Sequence, residues 1–276
     1  MAPVTCPEGS TWQVDKCIAG GNASVPKGAC ETYTDCNAQC GAKMPTGCLA
    51  LGRNYENGTG GAPMDKSKAV VAYESACALK DGEGCTSAGW MHRNGAGTPT
   101  DVKKAVTLYK KGCELDNARG CSNLDYILEE GAHGGPKDYT QAESLYVKSC
   151  SMGYGGGCTN MGFMLERGAG TKQDFTRAAS YYQQACSLDD AWGCHDLGGL
   201  YEVGSGVTMD KAKAAELFRG ACDKGVSNGC SSLGNLYTKG EGVTLDYAKG
   251  VELLRKGCKG GNKWGCDKLD ALGETH

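Results

Sequence analysis

Apolar residues occur along the chain in short clusters with helical spacing, and glycine-rich polar segments separate the clusters. Leu197, Leu200 and Tyr201 fall on one face of a helix. Gly204 follows them, and glycine is the favoured residue where a helix ends in the left-handed conformation. The pattern therefore predicts a short amphipathic helix that ends near Gly204.

A second apolar stripe follows the polar segment. Asp210 precedes it, and aspartate is a favoured N-cap residue. Ala214, Leu217 and Phe218 then recur at helical spacing. Because neither short helix can bury its apolar face alone, the pattern predicts two antiparallel helices that pack against each other.

Cysteine shows that this helix pair is one unit of a repeat. From Cys40 onward the cysteines form seven pairs, with members eight positions apart, and the second members recur every 36 or 37 residues. A period of this size indicates a solenoid. We divide the chain into six full repeats, the first from Cys48, and a truncated seventh from Cys266. The pairs are Cys40 and Cys48, Cys77 and Cys85, Cys113 and Cys121, Cys150 and Cys158, Cys186 and Cys194, Cys222 and Cys230, and Cys258 and Cys266.

A glycine stands four residues after the second cysteine in five of the six full units. Inside a helix it costs about 1 kcal/mol relative to alanine, so we expect it to allow close approach of the partner helix. The unit from Cys121 carries Asp125 in that place, and we expect looser packing or a polar contact there. The five glycines are Gly52, Gly89, Gly162, Gly198 and Gly234.

The composition adds information about compartment and partners. The 276 residues include 44 glycines and 18 cysteines, and a high, even cysteine count indicates an oxidising compartment. The net charge of −3 offers no field to attract nucleic acid or an anionic membrane. No apolar run reaches the roughly 18 residues of a membrane-spanning helix. We expect no nucleic-acid partner, no membrane span and a monomer.

The N-terminus, MAPVTCPEG, has neither the basic segment nor the apolar core of a signal peptide. We therefore expect a mature chain, secreted or periplasmic, whose export signal has been removed and to which Met1 was added for expression.

The segments LGGLYEVGSGVTMDKAKA and LGNLYTKGEGVTLDYAKG carry a recognisable pattern of leucine, tyrosine, glycine and aspartate. The pattern resembles Sel1-like repeats, which are relatives of tetratricopeptide repeats. The cysteine pair in every unit further resembles the disulfide-rich Helicobacter cysteine-rich protein family. The resemblance covers about residues 40–276. It implies an all-α, right-handed α/α solenoid of helix pairs with disulfides between repeats, preceded by a cysteine-containing cap over residues 1–39.

The resemblance also implies that each of the seven cysteine pairs is a disulfide. The alternative is a metal or haem site of reduced thiols, although the chain has no CxxC pair of the kind that binds zinc. Cys6, Cys17, Cys30 and Cys36 allow three pairings. We expect Cys6 to pair with Cys17 and Cys30 with Cys36, because CPEGSTWQVDKC resembles a self-contained loop.

Few residues point to catalysis. The letters GVSNG around Ser227 match a nucleophile elbow, but an elbow needs a strand-to-helix turn, and Ser227 is predicted between two helices. His92 takes a place that tyrosine holds in other units, so we expect it to be packed, while His133, His195 and His276 are scattered. We expect no catalytic residue, metal or cofactor. The resemblance leaves penicillin binding or weak β-lactamase activity as the alternative function.

By analogy with tetratricopeptide repeats, the first helix of each unit lines the concave face. Positions one, two, five, eight and nine after the cysteine then point into the groove. Position five brings Trp90, Tyr126 and Phe163 from consecutive units, and aromatic residues are frequent at binding hot spots. These rings either form a binding stripe or pack between units. Asn123 and Asn160, at position two, could bind an extended backbone.

Position eight is mostly acidic. Glutamate near a helix C-terminus opposes the macrodipole, so these carboxylates call for a partner. The partner is either a base one helix away, such as Lys68, Arg177, Lys213 or Lys249, or a cationic peptide segment. The residues at this position are Glu56, Arg93, Glu129, Glu166, Glu202 and Thr238.

We thus predict an exported, disulfide-stabilised scaffold that binds a protein or peptide through its concave face and is not an enzyme. The predicted binding residues are Trp90, Tyr126, Phe163, Asn123, Asn160, Glu129, Glu130 and Arg167.

Overall fold

A computed structural model describes residues 10–13, 16–19, 30, 32–131 and 137–275. These residues contain fourteen helices and one two-stranded hairpin. The helices are α1 (Tyr33–Gly41), α2 (Pro45–Asn57), α3 (Lys66–Ala78), α4 (Gly82–Asn94), α5 (Val102–Glu114), α6 (Ala118–Glu130), α7 (Tyr139–Ser151), α8 (Gly155–Arg167), α9 (Phe175–Ser187), α10 (Ala191–Val203), α11 (Lys211–Asp223), α12 (Ser227–Lys239), α13 (Tyr247–Lys259) and α14 (Lys263–Leu272).

The hairpin lies in the N-terminal segment, and the sequence pattern did not predict it. Strand β1 (Ser10–Gln13) pairs antiparallel with β2 (Lys16–Ala19), so that Thr11 stands opposite Ile18. The predicted pairing of Cys6 with Cys17 lies outside the described residues, because Cys6 is not among them.

The start of the solenoid is fastened by a disulfide between Cys30 and Cys36. This confirms the second of the two expected N-terminal pairings. Cys36 lies in α1, which runs on through Cys40. Cys30 and Cys36 are buried together with residues of α2 and α3, so the predicted cap of residues 1–39 shares a helix and a core with the first repeat.

The predicted helix boundaries are confirmed by the caps. The glycine after each even-numbered helix from α2 to α12 is left-handed, with φ between 66° and 76°. The aspartate before each odd-numbered helix from α3 to α13 accepts a hydrogen bond from the backbone N–H three residues on. The first helix of each full unit therefore ends, and the second begins, where the sequence places them.

Consecutive helices pack against each other along the whole chain. Most even-numbered helices of neighbouring units also touch, α10 and α12 being the exception, whereas odd-numbered helices beyond α3 scarcely do. Elements lie closest on the inner side of a curved stack, so the even-numbered helices form the concave face of the solenoid.

Seven disulfides join the end of each odd-numbered helix to the first turn of the next helix. Their Cα atoms are 4.4 to 4.8 Å apart, at the short end of the range for disulfides. No described cysteine is free, so the predicted pairings from Cys40 to Cys266 are confirmed.

In four of the five units that have it, the glycine at position four meets an aromatic ring of the following helix, and in the fifth Gly234 meets Gly250 and Leu254. A Cβ at Gly89 would lie 2.8 Å from the Tyr109 ring, and a Cβ at Gly162 would lie 2.6 Å from the Tyr182 ring. Both tyrosines are fully buried. The glycines therefore allow the close approach that the repeat pattern predicts.

Candidate functional site

The three aromatic residues at position five lie on the concave side and are partly exposed. Trp90 is 38% exposed, Tyr126 is 44% exposed and Phe163 is 41% exposed. The Arg93 guanidinium lies over the Tyr126 ring at 4.7 Å from its centroid, and Arg167 lies over Phe163 at 5.1 Å. Each of these two rings is thus half covered by a cation, and part of the surface remains open to a ligand.

A shallow depression of about 380 Å³ opens on the concave side between α4 and α10. Of the predicted residues it brings together Tyr126, Asn123 and Asn160. It does not include Trp90, Phe163, Glu129 or Arg167. The lining residues are Arg93, Ser122, Asn123, Tyr126, Tyr154, Gly156, Thr159, Asn160, Asp190 and Trp192. We call this surface the central depression.

The central depression presents polar groups that the described part of the chain leaves without hydrogen bonds. They are the Asn123 carboxamide, the hydroxyls of Tyr126 and Tyr154 and the indole N–H of Trp192. Asn160 makes one long contact of 3.4 Å, in which its amide donates to the Ser122 hydroxyl. Unpaired donors and acceptors beside open aromatic rings can bind a polar, extended ligand.

Asp190 also lines the depression, but its carboxylate has protein partners. It caps α10 by accepting from the Gly193 N–H, and it accepts from the Thr159 hydroxyl at 2.8 Å. Asn117 caps α6 and accepts from Thr86 in the same way, at 2.8 Å. Position one was expected to face the groove. Ser122 and Thr159 at this position do line the depression, although little of either is exposed, and Thr86 and Thr159 also join one unit to the next.

Three of the four glutamates at position eight pair with tyrosine, and not with the bases that were one of the two alternatives. The Tyr146 hydroxyl donates to Glu129 at 2.9 Å, and the Tyr182 hydroxyl donates to Glu166 at 2.7 Å. Tyr73 donates to Glu56 in the same way. In the units of Tyr73 and Tyr182 the ring packs over the glycine at position four, which brings the hydroxyl beside position eight.

The bases suggested as partners have other contacts. Lys68 pairs with Asp65, and Arg177 lies 4.0 Å from Glu143. Lys213 donates to the Tyr201 hydroxyl, and Lys249 lies over the Tyr237 ring. Glu130 ends α6, and its side chain is outside the described part of the structure.

Asp125 occupies the glycine position of its unit, and it is completely buried. Neither of its carboxylate oxygens has a hydrogen-bond partner within the described residues. Burial, and to a lesser degree the Glu129 charge, raise the pKa of Asp125 to about 9. The carboxyl is therefore neutral at pH 7, and the expected polar contact is absent from the described structure.

The remaining candidates for chemistry have structural roles. His92 is buried, and its Nε2 contacts Glu74 at 2.7 Å, which confirms the expected packing. Ser227 is the first residue of α12, and its hydroxyl donates to the Gly260 carbonyl at 2.9 Å. His133 and His276 lie outside the described residues.

Two further results concern classes of site in the described residues. No group of three or more histidine, cysteine or acidic residues there could hold a metal ion. None of the described helices combines the length and the apolarity that a membrane crossing needs.

Sequence reasoning missed Trp192, Tyr154 and Arg93. Trp192 stands two residues before Cys194, and it is 49% exposed in the first turn of α10. Trp264 holds the same place before Cys266 and lines a second depression, of about 270 Å³, two repeats further on. The two tryptophans that stand two residues before the second cysteine of a pair were the signal in the sequence that could have revealed this position.

The sequence matches the family model for the Sel1 repeat over residues 45–81, 82–117, 118–154, 156–190, 193–226 and 227–262. No curated protein matches the sequence. Helicobacter pylori cysteine rich protein B is 33% identical over 49% of this chain and 96% of that chain, with a TM-score of 0.41.

Two solved structures are similar over most of the chain. One is c5321 of uropathogenic Escherichia coli, described as a protective antigen with an SLR fold, with 25% identity and a TM-score of 0.74. The match covers 87% of this chain and 51% of that one, so this chain spans about half its length. The other is a Sel1 repeat protein of Oxalobacter formigenes, with 23% identity, a TM-score of 0.74 and coverage of 83% and 99%.

The family match covers most of the chain, and the helix pairs stack in the order that a solenoid requires. Eight disulfides in the described residues are typical of the cysteine-rich type, and they point to an oxidising compartment outside the cytosol. The chain belongs to the Sel1 repeat family, and it is a cysteine-rich α/α solenoid of that family.

Proposed function

We propose that this protein is secreted or periplasmic and binds an extended segment of another protein along its concave face. The observation that carries the proposal is the central depression, where open aromatic rings stand beside polar groups without internal partners. A peptide in extended conformation offers backbone N–H and C=O groups to such a surface. The disulfides would keep the groove rigid, which reduces the entropy that binding costs.

The residues proposed for binding are revised from those that the sequence suggested. Tyr126, Asn123 and Asn160 remain, and Arg93, Tyr154 and Trp192 join them. Glu129 is engaged by Tyr146, so its carboxylate has a structural role. No contact of Ser227 favours the penicillin-binding or β-lactamase alternative.

The test is selection of binders from a phage-displayed library of random dodecapeptides, followed by measurement of Kd by fluorescence polarisation. Trp192→Ala should weaken the selected peptides by about tenfold or more, because an indole at a hot spot contributes upward of about 1 kcal/mol. Trp264→Ala is the matched control, since this tryptophan holds the same repeat position outside the central depression. Its affinities should match wild type.

The proposal fails if no peptide is selected. It also fails if the selected peptides bind Trp192→Ala and wild type equally, since they would then occupy another surface. The thermal midpoint of both variants, followed by circular dichroism, shows that the loss of binding does not come from unfolding.

A further inference from the structure

Arg93 is the exception in a column of acidic residues. Four of the six residues at position eight are glutamates, and three of these accept a hydrogen bond from a tyrosine. Arg93 reverses the charge at this position in the unit that begins the central depression. A cation therefore stands at one end of a surface whose other side chains at position eight are anionic or neutral.

The position of Arg93 is fixed by neighbouring rings. Its guanidinium stacks on Tyr126, with 4.7 Å between the guanidinium carbon and the ring centroid. Burial raises the pKa of Tyr109 to about 12, and the nearby Arg93 charge opposes this rise. Beyond its interaction with the Tyr109 hydroxyl, a guanidinium over a ring can donate from its remaining edge N–H groups, in a fork that fits a carboxylate.

No carboxylate of the described residues pairs with Arg93. The glutamates at position eight of the two adjacent units have other partners: Glu56 accepts from Tyr73, and Glu129 accepts from Tyr146. The guanidinium is half-buried and lines the depression. A stacked, partly desolvated arginine without an internal anion is suited to an anion supplied by a ligand.

The opposite end of the depression has a different character. Asp190 there accepts hydrogen bonds from the Gly193 N–H and the Thr159 hydroxyl, and Trp192 exposes about half of its surface. A second ligand acid would be repelled at this end, whereas an apolar or aromatic side chain can pack on the indole. Between the two ends lie the amides of Asn123 and Asn160.

The span fits a short peptide. Three steps between successive even-numbered helices lead from α4 to α10, and each step is about 9 Å. At about 3.3 Å per residue, an extended chain of roughly eight residues covers this distance.

Resting on the proposed function, we propose that the central depression selects an extended peptide with an acidic side chain at one end and an apolar side chain at the other. The acidic side chain pairs with the Arg93 guanidinium. The peptide backbone hydrogen-bonds to Asn123 and Asn160, and the apolar side chain packs on Trp192. The acid belongs to a side chain and not to the peptide C-terminus, because the groove has one arginine at this end and not a ring of bases.

The test uses the peptides selected above, resynthesised with each Glu or Asp changed to Gln or Asn, or with the C-terminus amidated. On wild type, neutralising one acidic side chain should weaken binding by about tenfold or more, the scale of a charge-assisted pair. Amidation should leave affinity unchanged. Arg93→Glu should bind the parent peptide more weakly than wild type does, by a similar factor. It should bind a peptide in which the same acid is replaced by Lys more tightly than wild type does.

Arg167→Glu is the control, because Arg167 also stacks on an aromatic ring, that of Phe163, yet does not line the depression. It should bind the parent peptide as wild type does. If Arg93→Glu does not fold, Arg93→Gln removes the charge and tests the same pair.

Three results would overturn the inference, and they can be told apart. If Trp192→Ala abolishes binding but the Gln and Asn peptides bind as the parent does, the acidic preference is wrong and the proposed function stands. If only amidation weakens binding, the anion is the C-terminus and the assignment to a side chain is wrong. If no peptide is selected, both proposals fail.

Discussion

The unit formed by α6 and α7 and the unit formed by α8 and α9 have the same fold and differ at one internal contact. In α8, Gly162 leaves room for the Tyr182 ring, which a Cβ would meet at 2.6 Å. In α6, Asp125 holds the corresponding place opposite Tyr146, buried and without a hydrogen-bond partner. In both units the tyrosine hydroxyl still donates to the glutamate at position eight.

The comparison shows that the repeat tolerates a costly residue at its tightest contact. An unpaired buried polar group costs about 1 to 3 kcal/mol, yet α6 and α7 still pack as a pair. Neighbouring units on both sides, together with the disulfides, hold the unit formed by α6 and α7 in register. The glycine at position four therefore contributes to stability and does not by itself decide the fold.

The largest effect should come from placing an aspartate at the glycine position of the unit formed by α8 and α9. We expect Gly162→Asp to destabilise the protein by about 3 kcal/mol or more, because it combines overpacking against Tyr182 with a buried carboxyl. Guanidinium unfolding at pH 7 measures the change. The control is Gly199→Ala, since a Cβ at Gly199 meets nothing within 4 Å. An equal loss in both variants would mean that helix propensity, and not the ring contact, explains the glycine.

Replacing Asp125 in the unit formed by α6 and α7 should have a smaller effect on stability, of opposite sign. Asp125→Ala keeps the Cβ and removes the buried carboxyl, so we expect it to stabilise the protein by about 2 kcal/mol at pH 7. The same unfolding experiment measures this gain. A loss of stability would show that the Asp125 carboxyl has a partner that contributes to folding.

The pH dependence of this gain provides an independent check. The pKa of Asp125 is about 9 in the folded protein and has an ordinary value of 3.8 without the fold. Folding thus binds this proton more tightly, and the resulting stability is present below about pH 4 and is lost as pH rises through about 9. Wild type should lose stability relative to Asp125→Ala across this range. A difference that stays constant with pH would contradict the assignment.

The smallest effects should come from removing or adding the tyrosine hydroxyl that donates to the glutamate at position eight. Phe218 replaces the tyrosine beside Glu202, so that unit lacks the hydroxyl that Tyr182 donates to Glu166. Burial, more than the nearby Glu241 charge, raises the pKa of Glu202. We expect Tyr182→Phe to cost about 1 kcal/mol and Phe218→Tyr to gain up to a similar amount and to lower that pKa. Unfolding measurements give the energies, and NMR titration of Glu202 gives the pKa.

Much of the fold could be predicted because it depends on signals within each unit. The cysteine period, the glycine after each even-numbered helix and the aspartate before each odd-numbered helix are local. They placed every helix from α2 to α14. The paired strands β1 and β2 were missed, since this segment is outside the repeat and its pattern occurs only once.

The site was predicted only in part, because it depends on contacts between helices. The sequence placed Asn123, Asn160 and Tyr126 on the concave side, as the helix period requires. It could not show that Tyr146 and Tyr182 donate to the glutamates at position eight, since each contact joins two helices across 16 or 17 positions of sequence. Trp192 was missed because it belongs to the first turn of α10, before the part of the repeat that was compared.

The seven disulfides of the repeats close only small rings, because the two cysteines of each bond are eight positions apart in sequence. No described disulfide crosses the glycine-rich loop inside a repeat. One cut by a protease in such a loop therefore leaves two covalently separate chains even under oxidising conditions, whereas a cut inside a ring leaves one. Each ring can also close as soon as its own two helices meet, so the correct bonds can form one after another, in the order of synthesis, without a search among distant cysteines.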